Sequence, residues 1–284
     1  MSVLEEIKIA FIGPGVMAEA MISGMIRNNI VEGGALHASG PRLERVEQLR
    51  ARYGLQPFTD NAAAASRTEV VVLSVKPQML DRVLEELRGS IMPGALVLSI
   101  VAGATIKKIS QGLEHTIIIR SMPNTPAQIG EGITVWTAST SVTDGQREIA
   151  SQILGALGES IYVKEESYLD MATALSGTGP AYVFLFMEAM VDAGVHLGFP
   201  RRIAQQLVAQ TVRGSVDYFE KRDDPVHLAR LRNQVTSPGG TSAEALYYLE
   251  KAGFRTAIPR AIWAAFERSR ELGEGAESHR PDSN

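Results

Sequence analysis

The chain has 284 residues, 45% of them hydrophobic, with 28 Lys and Arg against 32 Asp and Glu and a formal charge of -4. Such a chain has enough apolar material for one or two domains with a real core, and its charge balance gives no reason to expect a nucleic-acid partner. It contains no cysteine, which excludes thiol nucleophiles, disulfides and thiolate metal sites.

The start, MSVLEEIKIAFIG, has no basic segment ahead of an apolar one, and the apolar runs are of strand length. Neither a signal peptide nor a membrane span is expected, and the expected location is the cytoplasm. Ile7 to Gly13 reads as a first strand closed by glycine, and Val16 to Ile30 spaces its apolar residues as a helix does. Between them stands Gly13-Pro14-Gly15-Val16-Met17-Ala18. Gly13 permits a tight turn, Gly15 lets backbone approach a pyrophosphate, and Ala18 lets helix and sheet pack closely. A strand before the motif and a helix after it turn a common glycine pattern into a dinucleotide-site hypothesis.

Leu36 to Ser39 is the second strand-like run, followed by Gly40-Pro41-Arg42. An NAD site usually carries an acidic side chain here for the ribose hydroxyls, but this chain has a hydroxyl and a guanidinium. Arg42 can fork onto a 2′-phosphate and Ser39 can add a hydrogen bond, so NADPH is the expected coenzyme, with NADH as the alternative. The next run, Val70 to Val75, ends in Lys76-Pro77, a strand-end position suited to ligand contact. Leu96 to Val101, Ile117 to Ser121 and Ile133 to Trp136 continue the series, and Met122-Pro123-Asn124-Thr125-Pro126 forms a rigid loop after the second of these. A last strand at Ser160 to Val163 closes the domain near residue 165. The alternation predicts an α/β Rossmann-like domain, mostly parallel and covered on both faces, over residues 1–165.

From 166 to 272 the pattern becomes all-helical: Pro180 to Leu197, Arg201 to Glu220, Val226 to Gln234, Ser242 to Lys251 and Arg260 to Leu272. The first of these is apolar around most of its circumference, which points to burial against another subunit. Residues 273–284 are short and polar and are predicted to be a disordered tail. Ser237-Pro238-Gly239-Gly240-Thr241-Ser242 stands directly before a helix. Ser237 or Thr241 could simply cap it, with Glu244 closing a capping box, or the exposed N–H groups could hold a small anion.

The five histidines lie outside these strand-end and glycine-rich loops, and Lys76 is the one basic group well placed for chemistry. A C=N substrate that enters protonated needs alignment and exclusion of water more than it needs an acid. No HExxH, paired-histidine or acidic-loop spacing occurs, so no metal is expected, and Glu188 and Asp192 read as polar surface or interface residues.

Several motifs in order resemble the pyrroline-5-carboxylate reductase family: FIGPGVMAEA at 11–20, VVLSVKP at 71–77, SMPNTPAQIGEG at 121–132, LSGTGPAYVFLFMEAMVDAGVHLG at 175–198 and QVTSPGGTSAEAL from 234. The resemblance implies a Rossmann domain and a helical domain that interlocks with a partner's. The homo-oligomer would be at least a dimer and in many members a decamer, with an active site that includes partner elements. It places Gly13, Pro14, Gly15, Val16 and Met17 at the pyrophosphate and Ser39 and Arg42 at the adenosine phosphate. Val75, Lys76, Pro77 and Asn124, with Thr125 and Pro126, would stand toward the nicotinamide. Ser237, Pro238, Gly239, Gly240, Thr241 and Ser242 would receive the carboxylate of a cyclic imine, and Ser176 would line the pocket. Ser242 and Thr241 would orient the ring nitrogen, and Lys76 would shape the field nearby.

Two departures stand out. Val16 replaces the usual asparagine, removing one side-chain hydrogen bond, and Ser242 replaces the usual threonine, keeping the hydroxyl without the methyl that fixes its rotamer. The competing readings are another imine or β-hydroxyacid reductase and a non-catalytic coenzyme-binding protein. The hydroxyacid branch commonly uses a lysine on a helix of the second domain, and this chain has no lysine from Gly177 to Glu220.

Overall fold

The structure, a computed structural model, describes residues 7–222 and 226–274. Its elements in chain order are β1 (Ile9–Ile12), α1 (Val16–Arg27), β2 (Leu36–Ser39), α2 (Leu43–Tyr53), β3 (Gln56–Phe58), α3 (Asn61–Ala65), β4 (Val70–Leu73), α4 (Leu80–Leu87), β5 (Leu96–Ser99), α5 (Ile106–Leu113), β6 (Ile118–Met122), β7 (Gly132–Ala138), α6 (Asp144–Gly155), β8 (Gly158–Tyr162), α7 (Tyr168–Ala172), α8 (Gly179–His196), α9 (Arg201–Glu220), α10 (Leu228–Gln234), α11 (Thr241–Lys251) and α12 (Phe254–Glu274). A π-helical turn, Thr173–Gly177, joins α7 to α8.

The strands form one sheet in the order β3-β2-β1-β4-β5-β6-β7-β8. All neighbours are parallel except β6 and β7. Because strand side chains alternate, β1, β4 and β5 bury both faces. Ile9, Phe11, Val70, Val72, Leu96 and Leu98 pack with α1, α2 and α6, while Ala10, Ile12, Val71, Leu73 and Val97 pack with α3, α4 and α5. Burial of each large aliphatic side chain contributes about 1.5–3 kcal/mol, which is why four-residue strands suffice. The order reverses direction at β1 and β4, so a crevice opens at their carboxyl ends, the usual ligand position of such sheets.

The sheet is mostly parallel, as expected, and two of its details were not foreseen. β3 was not expected; it is three residues long, contains Pro57 and sits at the sheet edge, where a missing N–H costs least. β7 runs antiparallel, because its connection from β6 is a short loop rather than a crossover helix.

The chain divides into two compact units, one holding residues 7–178 with 265–274 and the other Gly179–Ala264. The division falls later than the expected boundary at 165, because α7 is held to the sheet unit by a buried charge network. Arg120 on β6 is 3% exposed and donates to Glu166 at 3.1 Å and to Asp170 at 2.7 Å. Glu166 also accepts from the Ile106 backbone N–H at 2.8 Å, and Asp170 from the Ser269 hydroxyl at 2.9 Å. The expected tail begins inside α12, which continues through Gly273 to Glu274, and residues 275–284 lie outside the described residues.

The second unit has a small core of Val191, Ala204 and Val208, with Met187, Met190, Val195 and Val212 packed on it. Phe184, Leu185 and Leu197 stay exposed. By length and composition alone, the helical stretch Tyr168–His196 would pass for a membrane span, with a mean hydropathy of 1.2. Glu188 and Asp192 stand exposed on it, and Asp192 pairs with Arg201 at 2.8 Å.

Removing one partner from a buried charge network strands the others, at a cost of about 3–5 kcal/mol. Arg120→Ala is therefore expected to lower the unfolding free energy measured by chemical denaturation by an amount in that range. A change within the scatter of surface substitutions would show that the network holds nothing in place.

Candidate active site

The first turn of the sheet is fixed from three sides. Gly13 has φ +93, a left-handed region that excludes most side chains, and a Cβ there would lie 2.6 Å from Val75 Cγ1. Its N–H donates to Ser39 O at 2.9 Å, and its carbonyl accepts from the Ser74 hydroxyl at 2.9 Å. Arg45 on α2 donates from Nε to Pro14 O at 3.0 Å. Gly15 is the N-cap of α1, and no side chain caps that helix. A Cβ on Gly15 would meet nothing closer than 3.9 Å, so the space above the uncapped helix start stays open for a ligand. Unpaired N–H groups and the positive end of the helix dipole favour a phosphate there.

Arg45 is itself held by Glu19, which also accepts from Arg52 at 2.9 Å and from the Tyr53 hydroxyl at 3.0 Å. Burial works against the Glu19 charge, but the hydrogen bonds from Arg45 and Tyr53 and the charges of Arg45 and Arg52 outweigh it, holding the carboxyl below its ordinary value. Burial first, and then the bond to Glu19, push the Tyr53 phenol up.

A cavity of about 300 Å³ opens at the carboxyl ends of β1, β2 and β4. Of the residues expected at the coenzyme, Gly13, Pro14, Gly15, Ser39, Arg42, Val75 and Lys76 line it together. Lys76 is exposed ahead of a 3-10 turn that starts at Pro77. Val16 is exposed at the start of α1, and Met17 packs on the core. Those two, Pro77 and Asn124 do not line the cavity. The Asn124 side chain is committed elsewhere: Nδ2 donates to Ser176 O at 3.2 Å, and Oδ1 accepts from the Ile133 N–H at 3.0 Å. It thus ties the β6–β7 loop to the π-helical turn, a kind of turn found frequently at functional sites. The Ser176 hydroxyl donates to Ala172 O at 3.0 Å.

Sequence reasoning missed Arg45, Asn61, Arg82 and Glu86, which also line the cavity. Arg45 follows Arg42 by three residues at the start of α2, a spacing that could have flagged it. Asn61 and Glu86 carried no such signal, since only the sheet order brings α3 and α4 to this crevice. The Ser39 hydroxyl is buried and donates to Asn61 Oδ1 at 2.7 Å.

In the second unit, Ser237 to Ser242 converge on the start of α11. Its N-cap is Gly240, and neither Ser237 nor Thr241 caps it, so the capping box foreseen with Glu244 does not form. Gly239 has φ +72, which favours glycine, and a Cβ on Gly240 would lie 2.6 Å from Ser237 Oγ and 3.1 Å from Ser237 O, so Gly240 lets the Ser237 side chain and carbonyl sit close. Thr241 is exposed and Ser242 half-buried. The histidines have ordinary roles. Nδ1 of His37 is 3.0 Å from Ala64 O, buried His115 has Nε2 2.7 Å from Ala95 O, and the His227 ring accepts from the Ala229 N–H at the start of α10. His279 lies outside the described residues.

Residues 166–272 match the family described as pyrroline-5-carboxylate reductase dimerisation, and residues 8–103 match that described as NADP oxidoreductase, coenzyme F420-dependent. A pyrroline-5-carboxylate reductase of Synechocystis is 42% identical over 94% of this chain and 99% of its own. The Plasmodium falciparum pyrroline carboxylate reductase, solved with NADP bound, superposes with a TM-score of 0.86 at 33% identity, over 95% of this chain and 99% of that one. A Coxiella burnetii pyrroline-5-carboxylate reductase gives 0.83 at 35% identity, over 94% and 98%.

The lowered Glu19 pKa fixes a pH dependence. A carboxyl depressed in the folded state adds stability above its unfolded value, about 4.3, and loses it as pH falls through the folded value. Glu19→Gln is expected to melt earlier than wild type at neutral pH, with the gap closing below about pH 4. A gap of the same size throughout a pH series of thermal melts would show that the Glu19 charge does not hold Arg45.

Proposed function

The chain belongs to the pyrroline-5-carboxylate reductase family, and on that premise we propose which of its residues carry the reaction. It reduces the C=N bond of 1-pyrroline-5-carboxylate to give L-proline, the last step of proline synthesis, and it does so with NADPH. When bound, the reduced nicotinamide supplies the hydride that the imine carbon takes. The first β–α turn fits that coenzyme, because an uncapped helix start faces a space that a Cβ on Gly15 would begin to fill.

In this reading the turn Gly13-Pro14-Gly15 borders the pyrophosphate without donating to it, since the Gly13 N–H goes to Ser39 O and the Gly15 N–H to Gly13 O, and the N–H groups at the start of α1, from Val16 and Met17, hold it. Arg42 takes the 2′-phosphate, with Ser39 behind it, and Val75, Lys76 and Pro77 border the nicotinamide end. Asn124 acts there by holding the loop it belongs to, since both ends of its amide are already bonded. Ser176 supports the turn before α8.

The uncapped start of α11 carries the substrate assignment. In the turn shaped by Ser237 and Pro238, where the Gly240 N–H donates to Ser237 O at 3.0 Å, the backbone N–H groups of Gly239, Thr241 and Ser242 bind the substrate carboxylate without a mobile cation that would repel an iminium nearby. The Ser242 hydroxyl accepts a hydrogen bond from the protonated ring nitrogen, with Thr241 beside it. The nitrogen already holds its proton, so Lys76 contributes field rather than an obligatory acid. The resulting secondary amine takes its second proton from solvent.

The assembly is homo-oligomeric. Pairing of two copies through 166–272 would cover the exposed apolar face of α8, and five such dimers would make the decamer of the family. Residues 1–165 serve as the coenzyme domain, and the reaction belongs to the cytoplasm in this reading.

Ser242→Ala is expected to cut kcat by about a hundredfold while changing the Kd for NADPH by less than about twofold, because the hydroxyl meets substrate and not coenzyme. An unchanged kcat would remove Ser242 from the mechanism.

A further inference from the structure

The end of β2 lacks the carboxylate that usually takes the ribose hydroxyls of an unphosphorylated dinucleotide. The same cavity nevertheless has one. Glu86, on α4, is the one acidic side chain among the described residues that line it, and it is 36% exposed.

The surroundings of Glu86 define what it can offer. Asn61 Nδ2 donates to Oε2 at 2.7 Å and Arg82 Nε donates to Oε1 at 2.8 Å. An ionised carboxylate accepts only, through about four lone-pair positions, so acceptor capacity remains after these two bonds. Asn61 is held from below as well, where its Oδ1 receives the buried Ser39 hydroxyl. Its amide therefore has one orientation, nitrogen toward Glu86 and oxygen toward Ser39. The cavity thus presents two opposed preferences. The Arg42 guanidinium favours a phosphate, whereas Glu86 favours a group that can donate. A ribose 2′-hydroxyl donates, while an ionised 2′-phosphate only accepts and carries the same sign of charge as Glu86.

We propose that Glu86 is a specificity-determining residue for the coenzyme: it accepts the ribose hydroxyl of NADH and opposes the 2′-phosphate of NADPH, so that Glu86 and Arg42 together set the balance between the two. The proposal rests on the reading of this cavity as the coenzyme site.

The test is calorimetric titration of NADPH and NADH into the substrate-free protein, wild type and the variants Glu86→Gln, Glu86→Ala and Arg42→Ala, each checked by thermal melting. Glutamine keeps an acceptor oxygen for Asn61 while it removes the charge and the oxygen that accepts from Arg82. Glu86→Gln is expected to move the ratio of the two Kd values about tenfold toward NADPH, the size of one charge-assisted hydrogen bond, and Glu86→Ala to move it the same way. A shift with alanine but not with glutamine would mean that Glu86 only orients Asn61, and would overturn the proposal. Unmoved ratios in both, with Arg42→Ala still weakening NADPH, would overturn it while leaving the coenzyme site in place. If all three variants bound both coenzymes as wild type does, the reading of the cavity itself would fall.

Discussion

The helix that follows the first strand must start without a cap, and the rest of the sheet unit is arranged to permit it. A bare helix start is unstable unless its preceding turn is held from elsewhere. Here β2 accepts the Gly13 N–H, Ser74 at the end of β4 donates to the Gly13 carbonyl, and Arg45 donates to that of Pro14. Three neighbouring elements satisfy the turn, and α1 keeps its N–H groups for a ligand. Glu19 completes the arrangement from inside α1, since it fixes the arginine that fixes the turn. A stability device and a binding device are therefore one set of contacts, which is why a half-buried charge on α1 bears on a phosphate site.

Start sites on two helices recur to the same effect. Gly15 before α1 and Gly240 before α11 are both N-caps without side-chain bonds, and both follow a turn built around a glycine with positive φ. In the first unit a buried sheet supports that geometry. The second unit has far less core of its own, three buried apolar residues among those described against exposed Phe184, Leu185 and Leu197. A unit so short of buried surface needs a partner to be stable, and a family defined over this region by dimerisation supplies the chemistry of that partner as a second copy.

Much of this was legible because burial leaves a periodic mark. Four-residue apolar runs at Ile9–Ile12, Val70–Leu73 and Leu96–Ser99 could only be strands buried on both faces, and the glycines of the first turn stood where such a sheet binds ligands. Pairing direction is marked only by connection length, and the link from β6 to β7 is too short for a crossover helix, while β3 was too short to register. At the site, strand-end residues were found and helix-borne ones were not. Asn61 and Glu86 lie 25 positions apart and meet only because α3 and α4 flank the same crevice. Asn124 shows the converse limit: its place in a rigid loop was visible, whereas the bonds its amide makes to Ile133, nine residues on, and to Ser176, 52 residues on, were not.

The central claim is that this arrangement serves reduction of a five-membered cyclic imine. It is tested most directly by following NADPH oxidation by the wild-type protein at about 340 nm with 1-pyrroline-5-carboxylate, with the product identified as proline. Substrate-dependent oxidation with one proline formed per coenzyme consumed is the result this account requires. Tight NADPH binding without any turnover would contradict it, leaving a coenzyme site and, at α11, a helix start that serves some other anion.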